Sequence, residues 1–235
     1  MTQAQQVIEA MRSLGGAATF GKLNQSIDFS NWKTKTPEAS VRRIVQIDNA
    51  FFKIEPGLWA LNECRDEVLA RFKLHSNDAN ATEIFTHSYY QGLVLEIVNL
   101  RKMETFTPNQ DRNKLYLGNP LKGIANMPNM YPFTYNELTK YAKTVDVVWF
   151  NERKMPHSFF EIEHTTDMKN SLSKFFELQD FNAEFFIIAP DYRRAKFDED
   201  MTRSMFKDIQ KRVKFIGYEK LAETHSAEYR QQRYF

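Results

Sequence analysis

Residues 144–166 read TVDVVWFNERKMPHSFFEIEHTT, two apolar runs that each carry acid inside them. The runs, Thr144–Phe150 and Ser158–Glu163, have the Val, Ile, Phe and Trp content of strands, and Asn151–His157 between them reads as their turn. A hairpin folding between Arg153 and Lys154 places Asp146 opposite Glu161 and Thr144 opposite Glu163. Strand side chains alternate faces, so Asp146 and Val148 share a face with Phe159, Glu161 and Glu163. Three carboxylates then crowd one patch of a buried sheet. Like charges so placed repel, and the arrangement is tolerable only with a cation among them. A hard divalent ion, Mg²⁺ with Mn²⁺ as a substitute, is the expected cofactor, because it takes oxygen ligands and few protein groups.

Working outward, helix, strand and linker signals divide the chain. A helix over 3–14 carries Val7, Met11 and Leu14 on one stripe and ends at Gly15-Gly16. A short strand at Ala17–Phe20 and a helix at Gly21–Ile27 follow. Thr36-Pro37-Glu38 is a helix start, with Thr36 as N-cap and Pro37 at the first helical position. Its Val41, Ile44 and Val45 face inward and leave Arg42, Arg43 and Gln46 outward. Phe51–Ile54 and Leu58–Leu61 form a hairpin around Glu55-Pro56-Gly57. Residues 62–82 read as a connecting helix and a polar linker at His75–Ala81. A helix over Glu83–Arg101 sets Tyr89, Leu93, Glu96 and Leu100 on one stripe, where an acid is costly unless paired, metal-linked or at the wet edge. Met103–Thr107 is a strand, and Pro108–Lys140 is irregular, with Asp111, Arg112 and Lys114 as charged candidates for contact with a substrate. Thr166 caps a helix to Leu178 that packs Met168, Leu172 and Phe175 inward. Glu184–Ala189 is a buried strand, Glu199–Arg212 a helix, Lys214–Tyr218 a last strand, and Glu219–Phe235 a helical tail that frays.

Asp146, followed on the next strand by Glu161-Ile162-Glu163, resembles the signature of the PD-(D/E)XK nucleases, which include restriction endonucleases and DNA repair enzymes. The longer run FFEIEHTTDMKNSLSKFFELQDF is similar to stretches of restriction-endonuclease-like proteins. The resemblance implies an α/β fold, a mixed sheet flanked by helices, over residues 83–235. It also implies that Asp146 and Glu161 hold Mg²⁺, with Glu96, on the domain's first helix, as a further metal ligand. One departure stands out: Glu163 occupies the family's lysine position. Glu163 is then itself a catalytic ligand or base, or a lysine arrives from elsewhere, with Lys140, Lys143, Lys169 and Lys174 in range. The first quarter, with TPEASVRRI and FFKIEPGLWAL, resembles the HARE-HTH winged helices. That implies a DNA-binding domain over 1–62, with Arg42, Arg43 and Gln46 on the reading helix and Lys33, Lys35 and Lys53 near the wing.

Composition sets the remaining limits. The 32 basic against 30 acidic residues leave a formal charge of +2, so DNA contact must come from local patches. Twenty Phe among 14% aromatic residues suit a packed globular protein. The single Cys64 excludes an internal disulfide and a multi-cysteine zinc site within the chain. Nothing resembles a signal peptide or a membrane span, so a cytoplasmic protein is expected. His75, His87, His157, His164 and His225 are scattered, there is no GxSxG elbow, and paired glycosidase acids lie farther apart than neighbouring strands allow. The expectation is a type II restriction-like endonuclease acting on double-stranded DNA as a homodimer, since two strands need two sites. A DNA-binding regulator with an inactive nuclease fold, or a structure-specific or RNA nuclease, are the alternatives.

Overall fold

The computed structural model describes residues 1–74 and 78–232. Part of the expected linker, His75–Ala81, and the end of the expected tail lie outside them. Two compact units emerge, one of residues 1–78 with 222–235 and one of residues 79–221.

The first unit runs α1 (Gln3–Ser13), β1 (Ala17–Thr19), α2 (Phe20–Ser26), α3 (Pro37–Ile47), β2 (Phe51–Glu55), β3 (Leu58–Leu61) and α4 (Arg65–Arg71). Thr2 and Gln5 close a reciprocal cap at the start of α1. Gly16 ends the turn beyond it with φ +79°, and a Cβ there would lie 2.7 Å from that of Cys64. Thr19 ends β1 and accepts from the Lys22 N–H to open α2. Pro37 begins α3 as expected, but Thr36 makes no side-chain cap bond. The strands form an antiparallel sheet of order β1-β3-β2. Val7, Met11, Leu23, Val41, Val45 and Leu61 meet in one core, with Trp32 closing it. That core exists because each helix buries a single apolar stripe against the small sheet.

The second unit contains α5 (Ala79–Leu100), β4 (Glu104–Phe106), the hairpin β5 (Leu115–Tyr116) and β6 (Asn119–Pro120), and α6 (Asn136–Ala142). It continues with β7 (Val147–Phe150), β8 (Pro156–Ile162), α7 (Met168–Glu177), β9 (Glu184–Ala189), α8 (Arg194–Met201), β10 (Val213–Gly217) and the first turn of α9 (Tyr218–Gln232). Its sheet has the order β10-β9-β8-β7-β4. The β4-β7-β8 part is antiparallel, and β8-β9-β10 is parallel. The unit is thus a mixed α/β domain, as expected. Helix α5 is buried nearly all round, which suits a central helix rather than a surface one. At Gly92 a Cβ would lie 2.1 Å from the Tyr116 ring, so the β5-β6 hairpin sits directly on the α5 backbone.

Two readings of the sequence need correction here. No helix spans Glu199–Arg212: α8 ends at Met201, a short 3₁₀ turn covers Ser204–Phe206, and Met205 is exposed. Fully burying Phe206 and Ile209 bends the chain out of the helical course that Met201, Met205 and Ile209 suggested. Arg212 then donates to the carbonyls of Gln179, Phe181 and Ala183 and pins the turn. Helix α7 is capped by Asp167, which accepts from the Lys169 N–H, and not by Thr166.

Candidate active site

Asp146 stands one residue before the regular ladder of β7. The N–H of Ile162 donates to Asp146 Oδ2 at 2.8 Å. The Asp146 carbonyl instead accepts from Gln91 Nε2 at 2.7 Å and Thr107 Oγ1 at 3.2 Å. The side chain has taken over the acceptor role of the main chain, which is why the strand begins at Val147 and not at Thr144. Such a carboxylate is held by the sheet itself.

Val147 pairs with Phe160 and Val148 with Phe159. Extended by one residue, that register sets Asp146 opposite Glu161, but the turn itself centres on Arg153, where Phe150 pairs with Pro156, and an irregularity between Trp149 and Phe150 shifts the ladder by the one residue that brings the two acids together. Asp146, Glu161 and Glu163 are 7%, 3% and 4% exposed. Helix α7 supplies the facing groups. Ser171 Oγ bonds Glu161 Oε2 at 2.8 Å and also Glu163. Lys174, three residues on and hence on the same helix face, donates to both Glu161 oxygens at 2.9 and 3.0 Å and to the Thr144 carbonyl at 3.0 Å. The Thr166 hydroxyl is a second partner of Glu163. Of the lysines in range, Lys174 is thus the one that meets Glu161.

Helix α5 closes the other side. His87 Nε2 lies 3.3 Å from Asp146 Oδ2, and Gln91, one turn later on the same face, binds Thr107 and Asp111 as well as the Asp146 carbonyl. Asp111 is buried, paired with Lys114 at 2.6 Å and bonded by Gln91, so it braces the site from inside the fold. Arg112 is turned to the Pro128 carbonyl.

The electrostatics follow from burial. Desolvation opposes ionisation of Asp146, but the charge and hydrogen bond of His87, with the Ile162 N–H, outweigh it and hold the carboxyl below its ordinary range. Burial likewise works against the His87 imidazolium, yet Asp146 raises its pKa above the usual value. Glu161 goes the other way. Burial, and then the charge of Asp146, push it up to about 8, and Lys174 and Ser171 counteract this only in part. Lys174 itself is raised by Glu161 against its own desolvation. Two buried acids, Asp146 and Glu161, thus face two cations, His87 and Lys174, and of the two acids it is Glu161 that holds its proton more readily.

The other expected site residues lie elsewhere. Glu96 is nine residues beyond His87 on one helix, about 180° round the axis and about 13 Å along it, and it accepts from the Tyr116 hydroxyl at 2.8 Å. In the first unit, Arg42 lies over the Phe20 ring, and Arg43 and Gln46 are exposed on the same face of α3. These three line a hollow of about 220 Å³ together with Arg230. Lys33, Lys35 and Lys53 are exposed on the same unit. His164 stacks on Tyr218, which accounts for it structurally.

Fold and site together define a class: a mixed α/β domain whose central hairpin buries a carboxylate–lysine centre between two helices. Residues 68–233 match the family described as the type II restriction enzyme NmeDI C-terminal domain, and the chain belongs to that family. The match takes in the whole second unit. A curated relative, the type II restriction enzyme NmeDI of Neisseria meningitidis serogroup C, is 26% identical over 98 residues. That stretch is 40% of this chain and 27% of the relative, so the chain spans little more than a quarter of the relative's length. No solved structure matches. Among the described residues no helix is long and apolar enough to cross a membrane.

Proposed function

We propose that the chain is a metal-dependent endonuclease of the type II restriction class, cutting double-stranded DNA at the Asp146–Glu161–Lys174 centre. The observation that carries this reading is the burial of two carboxylates against Lys174 at the end of a hairpin, in a member of a restriction-enzyme family.

The donor set suits a hard divalent ion. It consists of oxygens, and Glu161, raised by burial and then by the charge of Asp146, is a carboxyl that a bound cation would ionise. Among the described residues no three His, Cys, Asp or Glu side chains form a ready-made cage. Mg²⁺ needs none, because it is held by one or two carboxylates with water and substrate phosphate. Asp146 and Glu161 would hold it. When bound, it supplies charge that stabilises the attacked phosphate and lowers the pKa of a water.

The chain's own residues do the rest. The Ile162 N–H and His87 fix one Asp146 oxygen, and Gln91 and Thr107 fix its main chain. Lys174 offers the second cation, to orient the attacking water or neutralise a phosphate oxygen. Glu163, bound by Ser171 and Thr166, acts through Ser171 on the orientation of Glu161, so the lysine of this centre comes from α7 and not from the Glu163 position. In the first unit the order α1-β1-α2-α3-β2-β3 with a three-stranded sheet supports a winged-helix reading. Arg42, Arg43 and Gln46 then contact DNA, with Lys33, Lys35 and Lys53 beside them. Cutting both strands calls for a homodimer. The test is incubation of the full chain with plasmid and phage DNA. Cleavage with Mg²⁺ or Mn²⁺, and none in chelator or from Asp146→Ala, is expected; cleavage in chelator would overturn the reading.

A further inference from the structure

At the end of the sheet that carries Asp146, a second feature adjoins the centre. The chain leaving β4, the segment at Asn129-Met130 and the end of α6 enclose a hollow of about 200 Å³. Its floor is apolar, made by the buried Phe106 and Met130. Its rim carries Asn109, Gln110, Asn129 and Lys143, all exposed.

Two observations set this hollow apart. The first is position. Phe106 pairs with Val148 of β7, the next residue, Thr107, bonds the Asp146 carbonyl, and Lys143 stands next to Thr144, whose carbonyl holds Lys174. The second is that the rim is unspent. Amides such as those of Gln91, Asn99, Asn126 and Asn151 are committed to hydrogen bonds that build the fold, and solvated ones such as Asn136, Asn170, Asn182 and Gln210 are scattered, so what distinguishes the hollow is three uncommitted amides gathered at one rim. Among the described residues the side chains of Asn109, Gln110, Asn129 and Lys143 have no such partner. Three idle amides around an apolar floor, beside a centre for phosphate chemistry, have the composition of a base-reading site.

We infer that this hollow reads an A·T pair next to the cut, the amides of Gln110 and Asn129 bonding adenine while Phe106 and Met130 receive the thymine methyl. The chemistry favours that pair. Asn and Gln amides match the donor and acceptor of adenine, and apolar side chains match the methyl group. No arginine, the usual partner of guanine, lines the hollow. Lys143, on the side nearest the centre, takes a backbone phosphate. Asn109 at the outer rim completes the polar edge. The inference rests on the DNA-cleaving function proposed above.

The test uses the full chain. Duplexes retained from a randomised library without divalent cation, and the ends left on phage DNA with Mg²⁺, are both sequenced. An A·T preference at a fixed distance from the cut is expected. Gln110→Ala and Asn129→Ala should each weaken that preference by at least about tenfold and leave the rest of the site alone. Lys143→Ala should weaken all sequences evenly and lower the salt slope of binding by about one. These side chains are exposed, so melting temperatures should stay at the wild-type value. Wild-type cutting with the preference unmoved in both amide variants, or with G·C at that distance, would overturn the pocket while leaving the nuclease intact. A wild type that neither binds nor cuts would overturn both.

Discussion

The two units hold their charged residues in opposite ways. On α3 of the first unit, Arg43 and Gln46 are solvated and Arg42 rests on Phe20 at a half-buried position. In the second, Asp146, Glu161 and Glu163 are buried, and His87 and Lys174 are drawn in to meet them. A solvated charge costs the fold almost nothing, so its presence says little about purpose. A buried carboxylate that its own neighbours fail to neutralise costs stability, and a fold retains it where function requires it. The second unit therefore advertises its chemistry in a way the first does not.

The largest expected effect lies at the buried end of this comparison. Asp146→Ala or Glu161→Ala should lower the cleavage rate by at least about a hundredfold while DNA binding persists. Gel-shift and plasmid-nicking assays on the same preparations check both halves. Lys174→Ala should match that loss, whereas Glu163→Gln, which keeps a group able to bond Ser171, should cost less than about tenfold. The reverse ranking would return the lysine's role to Glu163.

At the solvated end, Arg43→Ala should leave the melting temperature unchanged, while Arg42→Ala, which gives up its contact with Phe20, should lower it slightly. With both arginines replaced, the salt slope of DNA binding should fall by about two, one for each phosphate contact. An unchanged slope would assign α3 to protein contacts. Substitution is a cleaner test than removing residues 1–62, because Tyr229 packs on Gly21 and Arg230 pairs with Glu38 within the first unit. Deletion would strip those contacts from the end of α9.

The remaining effect concerns stability, not activity. Glu161 has an ordinary carboxyl pKa of 4.5 unfolded and about 8 folded, so its contribution is fully present below pH 4.5 and is lost as pH rises through about 8. The raised His87 acts in the same direction, while the lowered Asp146 contributes above its ordinary pKa and loses that in acid. Metal-free Glu161→Gln protein lacks the Glu161 penalty. It should exceed the wild type near pH 9, by on the order of a few kcal/mol, and match it near pH 4.5. Denaturant melts at the two pH values check this; no gap at pH 9 would mean that Lys174 neutralises Glu161 fully.

Much of the site was legible because a hairpin has few registers. Apolar alternation put Asp146 and Glu161 on one face, but setting them opposite each other also takes the register shift between Trp149 and Phe150, which the pattern of residues did not signal. The partners from α5 and α7 were harder, since helix–sheet packing brings together residues far apart in sequence. Lys174 stood as one of several lysines in range, and only the facing of α7 selects it. His87 and Gln91 did leave a signal, two polar residues one turn apart in an otherwise apolar helix, but the stripe through Glu96 competes with theirs. The fold was least legible where burial bent the backbone away from periodicity, as at Phe206 and Ile209.

The central claim is that Asp146 and Lys174 belong to one reacting centre. Residues acting as a unit do not add when removed together. The decisive measurement is the Mg²⁺-dependent cleavage rate of one DNA by Asp146→Ala, Lys174→Ala and the double variant. The double variant should be no slower than the worse single one. Losses that multiply would contradict the claim and place the two residues in separate roles.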